Sequence, residues 1–232
     1  MTKIPVYYIW SQNYEIFAKI LKQGIQFYPF LEDQGEFIDQ SFFDQHLNKA
    51  PGHFLTGCFL KLQKQYDLLH SLPEGSYFIF CDADVLFFPQ KRLDILLNLF
   101  IQTQTDLVFM RETPDMPFSN VGFGLYRVCD ATKKLFARCL EMAKEQPTQL
   151  DGTIINDAMK EMFTGSHAYF PPEFVMTTSS MRYYDDTKKN MGSHRANCMV
   201  FQALCDPGQS REAITAQKLK QYQILGVPIS FT

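Results

Sequence analysis

The sequence predicts an α/β protein: a mostly parallel central sheet flanked by helices, in a single domain spanning residues 1–232, with a C-terminal helix over about 210–226 as an appendage. Three observations predict it. Short apolar runs that suit strands buried on both faces alternate with longer segments of helical periodicity. The runs are bounded by Gly, Pro and Asp, residues that let a chain leave a strand. Hydrophobic residues make up 46% of the 232, enough for a sizeable core, and no repeat or low-complexity tract divides the chain.

Residues 6–10 are rich in β-formers and read as a first strand ending at Ser11. Tyr14, Phe17, Ala18, Leu21 and Ile25 then recur at helical spacing. Residues 29–53 are mixed and punctuated by Pro29, Gly35, Pro51 and Gly52. A helix is predicted over 54–72, with Leu55, Cys58, Leu62, Tyr66 and Leu69 on one face and Pro73 and Gly75 as its stop. Residues 77–81 form a continuous apolar run, as a central parallel strand does. A helix over 92–101 and strands at 107–110 and 121–128 follow. Asp130 and Asp151 each suit the N-cap of a further helix. A strand is expected around 168–170, and residues 177–195 read as a polar loop. Ser210 starts the last helix.

Composition excludes several function classes. The net charge is −3 with no basic patch, so nucleic acid is a poor partner. An anionic substrate then needs a bound cation or a few local bases. The six cysteines, at 58, 81, 129, 139, 198 and 205, contain no C-x-x-C pair, which argues against a zinc knuckle or redox dithiol. Cys81 and Cys139 read as buried free thiols, and a reducing compartment follows. The N-terminal apolar run is too short for a signal peptide and no stretch is long enough to span a bilayer, so the expected location is cytoplasmic.

Asp82 and Asp84 directly follow the run at 77–81. Residues two apart on a strand share a side, so both carboxylates project together at its carboxyl end. Apolar residues flank them on both sides. Two close carboxylates in apolar surroundings repel one another and are costly to desolvate. A hard divalent cation shared with substrate phosphates relieves both costs. The plainer reading, two aspartates capping a strand and a turn, suits an isolated D-x-D. The buried-strand context favours the cation.

Strand, D-x-D and apolar run together resemble the metal-binding motif of GT-A fold glycosyltransferases. Three further segments are similar, in order, to the nucleotide-diphospho-sugar transferase group within that fold, the small viral members coming closest in length. Residues 118–126 resemble its N-x-G segment, 151–156 its D-Q-x-x-x-N helix start, and 194–197 its late His-Ala-Asn segment. Gly152 stands where the group usually has Gln, and Arg195 separates His194 from Ala196.

The resemblance implies a metal-dependent glycosyltransferase that takes a sugar from a nucleoside-diphosphate donor, UDP-hexose by preference, to a glycan or glycoconjugate acceptor. Asp84 becomes a direct metal ligand, with His194 supplying a nitrogen, and the ion Mn2+ more than Mg2+. Asp82 contacts the ribose, or the metal through water. Ala83 and Asn197 belong to the same donor-binding segments. Asn120 and Gly122 lie against the sugar, or form an ordinary bulge before a strand. Asp151 bonds a sugar hydroxyl, serves as base, or merely caps a helix; Glu112 and Asp115 are reserve candidates for the base. Tyr8, Trp10 and Ser11 end the first strand where the donor's base sits in this fold, and an aromatic there can stack on it; core packing is the alternative for Tyr8. Lys61 and Lys64 lie off the apolar face of their helix and read as solvated charges, although Lys64 is placed to reach a phosphate. The 183–186 segment suits a lid. Two other functions fit parts of the pattern: a haloacid-dehalogenase-type phosphatase with Asp82 as nucleophile, and a non-catalytic nucleotide- or glycan-binding module.

Overall fold

The structure is a computed structural model that describes residues 3–39, 53–89, 91–113, 115–116, 118–186, 197–204 and 211–225. His194, Arg195 and Cys205 lie outside these residues. Its centre is a six-stranded sheet containing β1 (Ile4–Trp10), β2 (Leu31–Phe37), β3 (Tyr77–Cys81), β5 (Leu107–Arg111), β6 (Ser119–Arg127) and β7 (His167–Tyr169). The order across it is β2-β1-β3-β6-β5-β7. The pairs β1–β2, β1–β3 and β5–β7 are parallel. β6 runs against both β3 and β5. Residues 112–118 joining β5 to β6 are too few for the dozen or so that a parallel crossover needs, so the chain must return antiparallel.

β3 is the strand that the apolar run at 77–81 predicts. Ile79 and Cys81 enter one core cluster and Phe78 and Phe80 the other. The first cluster lies under α1 (Glu15–Gln26) and α3 (Leu93–Gln102); the second lies under α2 (His53–Ser71), α4 (Asp130–Glu145) and α5 (Asp151–Met162). Burying β3 on both faces fixes its end, and with it Asp82 and Asp84.

Several expectations need correction. β2 falls in the stretch read as mixed: it is an edge strand with only Leu31 buried, so its exposed charges hide the strand pattern. Asp130 and Asp151 do not occupy cap positions; Cys129 and Leu150 do, and each aspartate is the first helical residue. Part of the polar loop expected at 177–195 is α6 (Thr178–Asp186), which removes the loop on which a lid at 183–186 rested. β4 (Val85–Phe87), β8 (Val175–Thr177) and β9 (Val200–Gln202) form a second, three-stranded sheet in the order β4-β9-β8. α7 (Arg211–Ile224) packs against the rest of the fold. Its Tyr222 is fully buried against Phe17 and Phe201, with ring centroids 6.0 and 6.3 Å away. No described helix is long and apolar enough to cross a membrane.

Candidate functional site

The turn from β3 to β4 carries the two aspartates from one sheet into the other. The Asp82 N–H donates to the Gly122 carbonyl at 2.8 Å, and the Val85 N–H to the Asp82 carbonyl at 3.2 Å. Asp84 is 5% exposed. Gln202, at the end of β9, holds the two side chains together: its Nε2 donates to Asp82 Oδ2 at 2.7 Å and approaches Asp84 Oδ1 at 3.4 Å. The carboxylates therefore converge, as the spacing of the motif predicts. Gln202 Oε1 is buried without a hydrogen-bond partner among the described residues.

Two lysines offset the negative charge. Lys61 of α2 pairs with Asp82 Oδ1 at 2.8 Å and with Asp151 Oδ2 at 2.5 Å. Burial opposes its charge, but Asp151 and Asp82 outweigh it and hold its pKa well above the ordinary lysine value. Burial also pushes the Asp82 carboxyl up, against the pull of Lys61 and with the repulsion of Asp84 and Asp151. Lys218 of α7 pairs with Asp84 Oδ2, with both side chains almost wholly shielded from water. Tyr222, one helical turn later, donates its hydroxyl to the Asp84 carbonyl. Counted as ionised, three carboxylates face two ammoniums, an excess of one negative charge.

Asp151 thus joins the cluster, its Oδ1 also accepting from the Gly152 N–H at 3.0 Å. Ala83, between the pair, is buried. Asn120 bonds locally, donating to Glu112 Oε2 at 2.5 Å and accepting from the Gly122 N–H at 2.9 Å. β5 slips its register against β6 beside Asn120, a local irregularity that re-aims side chains. Gly122 makes room for the Gln202 amide: a Cβ there would lie 2.1 Å from Nε2. Glu112 Oε1 also accepts from Ser179 at 2.8 Å.

Other expected residues lie elsewhere. Asp115 is on an exposed turn, accepting from Thr113 at 2.7 Å. Asn197 is exposed. Tyr8 is 2% exposed, and its hydroxyl donates to Asp33 at 2.8 Å. Its ring packs over Gly35 within the core, as the core-packing alternative expects. Trp10 is half-buried and tilted against Phe37, ring centroids 4.8 Å apart. Ser11 accepts from the Tyr14 N–H at 2.8 Å in the turn that follows. Lys64 pairs with Glu36 at 2.5 Å, away from the carboxylates. It lines a cavity of about 360 Å³ with Ile9, Ile38, Leu60 and Gln63, beyond the carboxyl ends of β1 and β2.

Sequence reading missed Gln202, Lys218 and Tyr222, and took Lys61 for a solvated charge. A signal existed for the first: Gln202 ends the apolar run 199–201 as Asp82 ends the run 77–81. Lys218 and Tyr222 are four apart, one face of a helix, but nothing local shows what that face meets.

The profile of the family described as nucleotide-diphospho-sugar transferase matches residues 36–221. No curated protein matches in sequence. Among solved structures, a glycosyltransferase involved in the glycosylation of the major capsid of PBCV-1 aligns with TM-score 0.63 at 11% identity, over 94% of this chain and 99% of that one. The galactosyltransferase LgtC, in complex with donor and acceptor sugar analogues, aligns with TM-score 0.51 at 14% identity, over 94% and 96%. Mouse xyloside xylosyltransferase 1 aligns with TM-score 0.53 at 9% identity, over 90% and 100%. At these identities the likeness establishes the fold, the GT-A arrangement.

Proposed function

Because the chain belongs to the nucleotide-diphospho-sugar transferase family, we propose that it moves a hexose from UDP-hexose to a hydroxyl of a glycan or glycoconjugate, with a divalent cation, Mn2+ or Mg2+, at Asp82 and Asp84. The observation that carries this reading is the convergence of the two carboxylates at the carboxyl end of β3, where ligands of α/β sheets bind.

The residues fit such an ion. Both donors are hard carboxylate oxygens, and the excess negative charge of the cluster matches a cation. A buried acceptor oxygen beside them, Gln202 Oε1, lacks a partner among the described residues. Asp82 and Asp84 would hold the ion, and the resemblance adds His194. A bound cation would neutralise the diphosphate as it leaves.

The chain's own side chains supply the rest. Lys61 ties Asp82 of the β3–β4 turn to Asp151 at the start of α5. That fixes the metal-binding turn relative to the helix that resembles the sugar-contacting segment. Asp151 has one oxygen on Lys61 and the other on the Gly152 N–H, so it suits orienting a sugar hydroxyl better than taking its proton. Glu112, held by Asn120 and Ser179, is the alternative base. The cavity lined by Ile9, Phe37 and Lys64 suits the nucleoside, since α2 carries Lys61 and Lys64 one turn apart and spans from the cavity to the carboxylates. Five described cysteines are unbridged, which supports a cytoplasmic setting.

A thermal-shift panel of nucleoside diphosphates and nucleotide sugars, with and without Mn2+, tests the reading. UDP or a UDP-hexose with Mn2+ should stabilise most. A larger shift from GDP would refute the donor, and shifts indifferent to the metal would refute the cation. Binding without any release of UDP from UDP-hexoses across acceptors would leave only a binding module.

A further inference from the structure

We propose that Gln202 is itself a ligand of the donor-site cation, its amide turning end for end to present Oε1 to the ion. The inference rests on the cation site proposed above and adds a neutral oxygen donor to it.

Gln202 is fixed with respect to the aspartates by its backbone. It pairs with Val85 of β4, the residue directly after Asp84, and on its other side with Thr177 of β8. Its side chain is buried, so its amide has no solvent to turn to. Nε2 lies between one oxygen of each carboxylate, Asp82 Oδ2 and Asp84 Oδ1. That is where an ion shared by the two aspartates would sit. In this structure the positive end of a neutral amide dipole takes that place.

The other end of the same amide is the unpartnered Oε1. A buried amide with a satisfied donor and an orphaned acceptor is half used. When a cation draws the two carboxylate oxygens to itself, they no longer need the N–H donors, and an acceptor aimed at the ion becomes favourable. Turning the amide presents Oε1 to the cation beside two carboxylate oxygens, a hard all-oxygen set suited to Mn2+ or Mg2+. The strand opposite is opened at this point: at Gly122 any Cβ would lie within 2.1–2.4 Å of the amide atoms. Glycine there leaves room for the amide that no other residue does.

The test uses the full chain labelled with 13C at the glutamine side-chain carbonyl, loaded with Mn2+ alone and with UDP, and read by electron–nuclear double resonance. The expected result is a strong dipolar coupling from one glutamine carbonyl, lost in Gln202→Leu. The Leu variant should also bind Mn2+ at least tenfold more weakly, and Gln202→Glu, which keeps an oxygen there, should bind it no more weakly than the parent. Bound Mn2+ that disappears in Asp84→Asn but gives no glutamine coupling overturns the role of Gln202 and leaves the cation site standing. A parent protein that binds no Mn2+ overturns both.

Discussion

Lys218 on α7 and Asp84 at the β3–β4 turn form an ion pair shielded from solvent on both sides, 134 positions apart in the chain. A buried ammonium placed on a carboxylate proposed to bind the cation links the docking of a helix to the charge state of the site. The relationship can be tested by removing either charge.

Lys218→Met strands Asp84 as an uncompensated buried charge. Without metal the variant should lose about 3–5 kcal/mol of stability, the usual cost of breaking a buried pair from one side. Saturating Mn2+ should restore part of the loss by replacing the missing charge. Urea unfolding with and without Mn2+ checks both halves, and equal losses in the two conditions would separate Lys218 from the cation.

UDP with Mn2+ at a hundredfold excess over its dissociation constant should stabilise the parent by about 2.7 kcal/mol, and Asp84→Asn should abolish the metal-dependent part of that shift. A full shift in the variant would remove Asp84 from the site.

Lys61→Met unties Asp82 from Asp151. Residues that orient metal ligands typically change affinity or activity by about 10–100-fold, and a loss of that size is expected in both Mn2+ affinity and turnover. Calorimetric titration with Mn2+ and initial rates of UDP release measure them. Lys64→Met, which removes the pair with Glu36, should leave Mn2+ affinity unchanged.

Two glycines should respond in opposite directions. Gly122→Ala drives a methyl into the Gln202 amide and should cost about 1–3 kcal/mol, as overpacking does. Gly152→Ala in α5 meets only Val121, at 3.7 Å, and should gain up to about 1 kcal/mol from helix propensity. Chemical denaturation of both variants gives the comparison.

Asp106 supplies a pH signature. Burial works against its charge, but the Ser166 N–H and hydroxyl, with Cys129 and Arg127, outweigh that and hold its pKa below the ordinary value of 3.8. The folded carboxyl binds its proton less readily than the unfolded one. Its contribution is therefore present above pH 3.8 and lost as pH falls through the lowered folded value. Asp106→Asn should cost about 1–3 kcal/mol at neutral pH, and the gap should narrow as acid protonates the parent. A gap independent of pH would show that the charge contributes nothing.

What the sequence made legible follows from what each feature depends on. The ends of β3 and the pairing of Asp82 with Asp84 are local facts: an apolar run between turn residues, and a two-residue spacing. The reversed direction of β6 was not read, although the short stretch 112–118 carries it. β2 was not legible because an edge strand need not alternate apolar and polar residues. Tyr8 left two readings open because a strand-end aromatic looks the same whether it meets a ligand or, as here, Asp33 and Gly35. Gln202 and Lys218 were invisible for a different reason. Their partners lie 118–134 positions upstream, and no local pattern encodes such a contact.

All six strands of the main sheet lie between residues 4 and 169, whereas every described side chain bonded to Asp84 comes from residues 202–222. The scaffold and the neutralisation of Asp84 are thus written in separate stretches. Closing so long a loop is entropically slow. A partly folded chain can therefore hold a finished sheet with Asp84 still bare, and competence to bind the donor would trail behind the acquisition of shape.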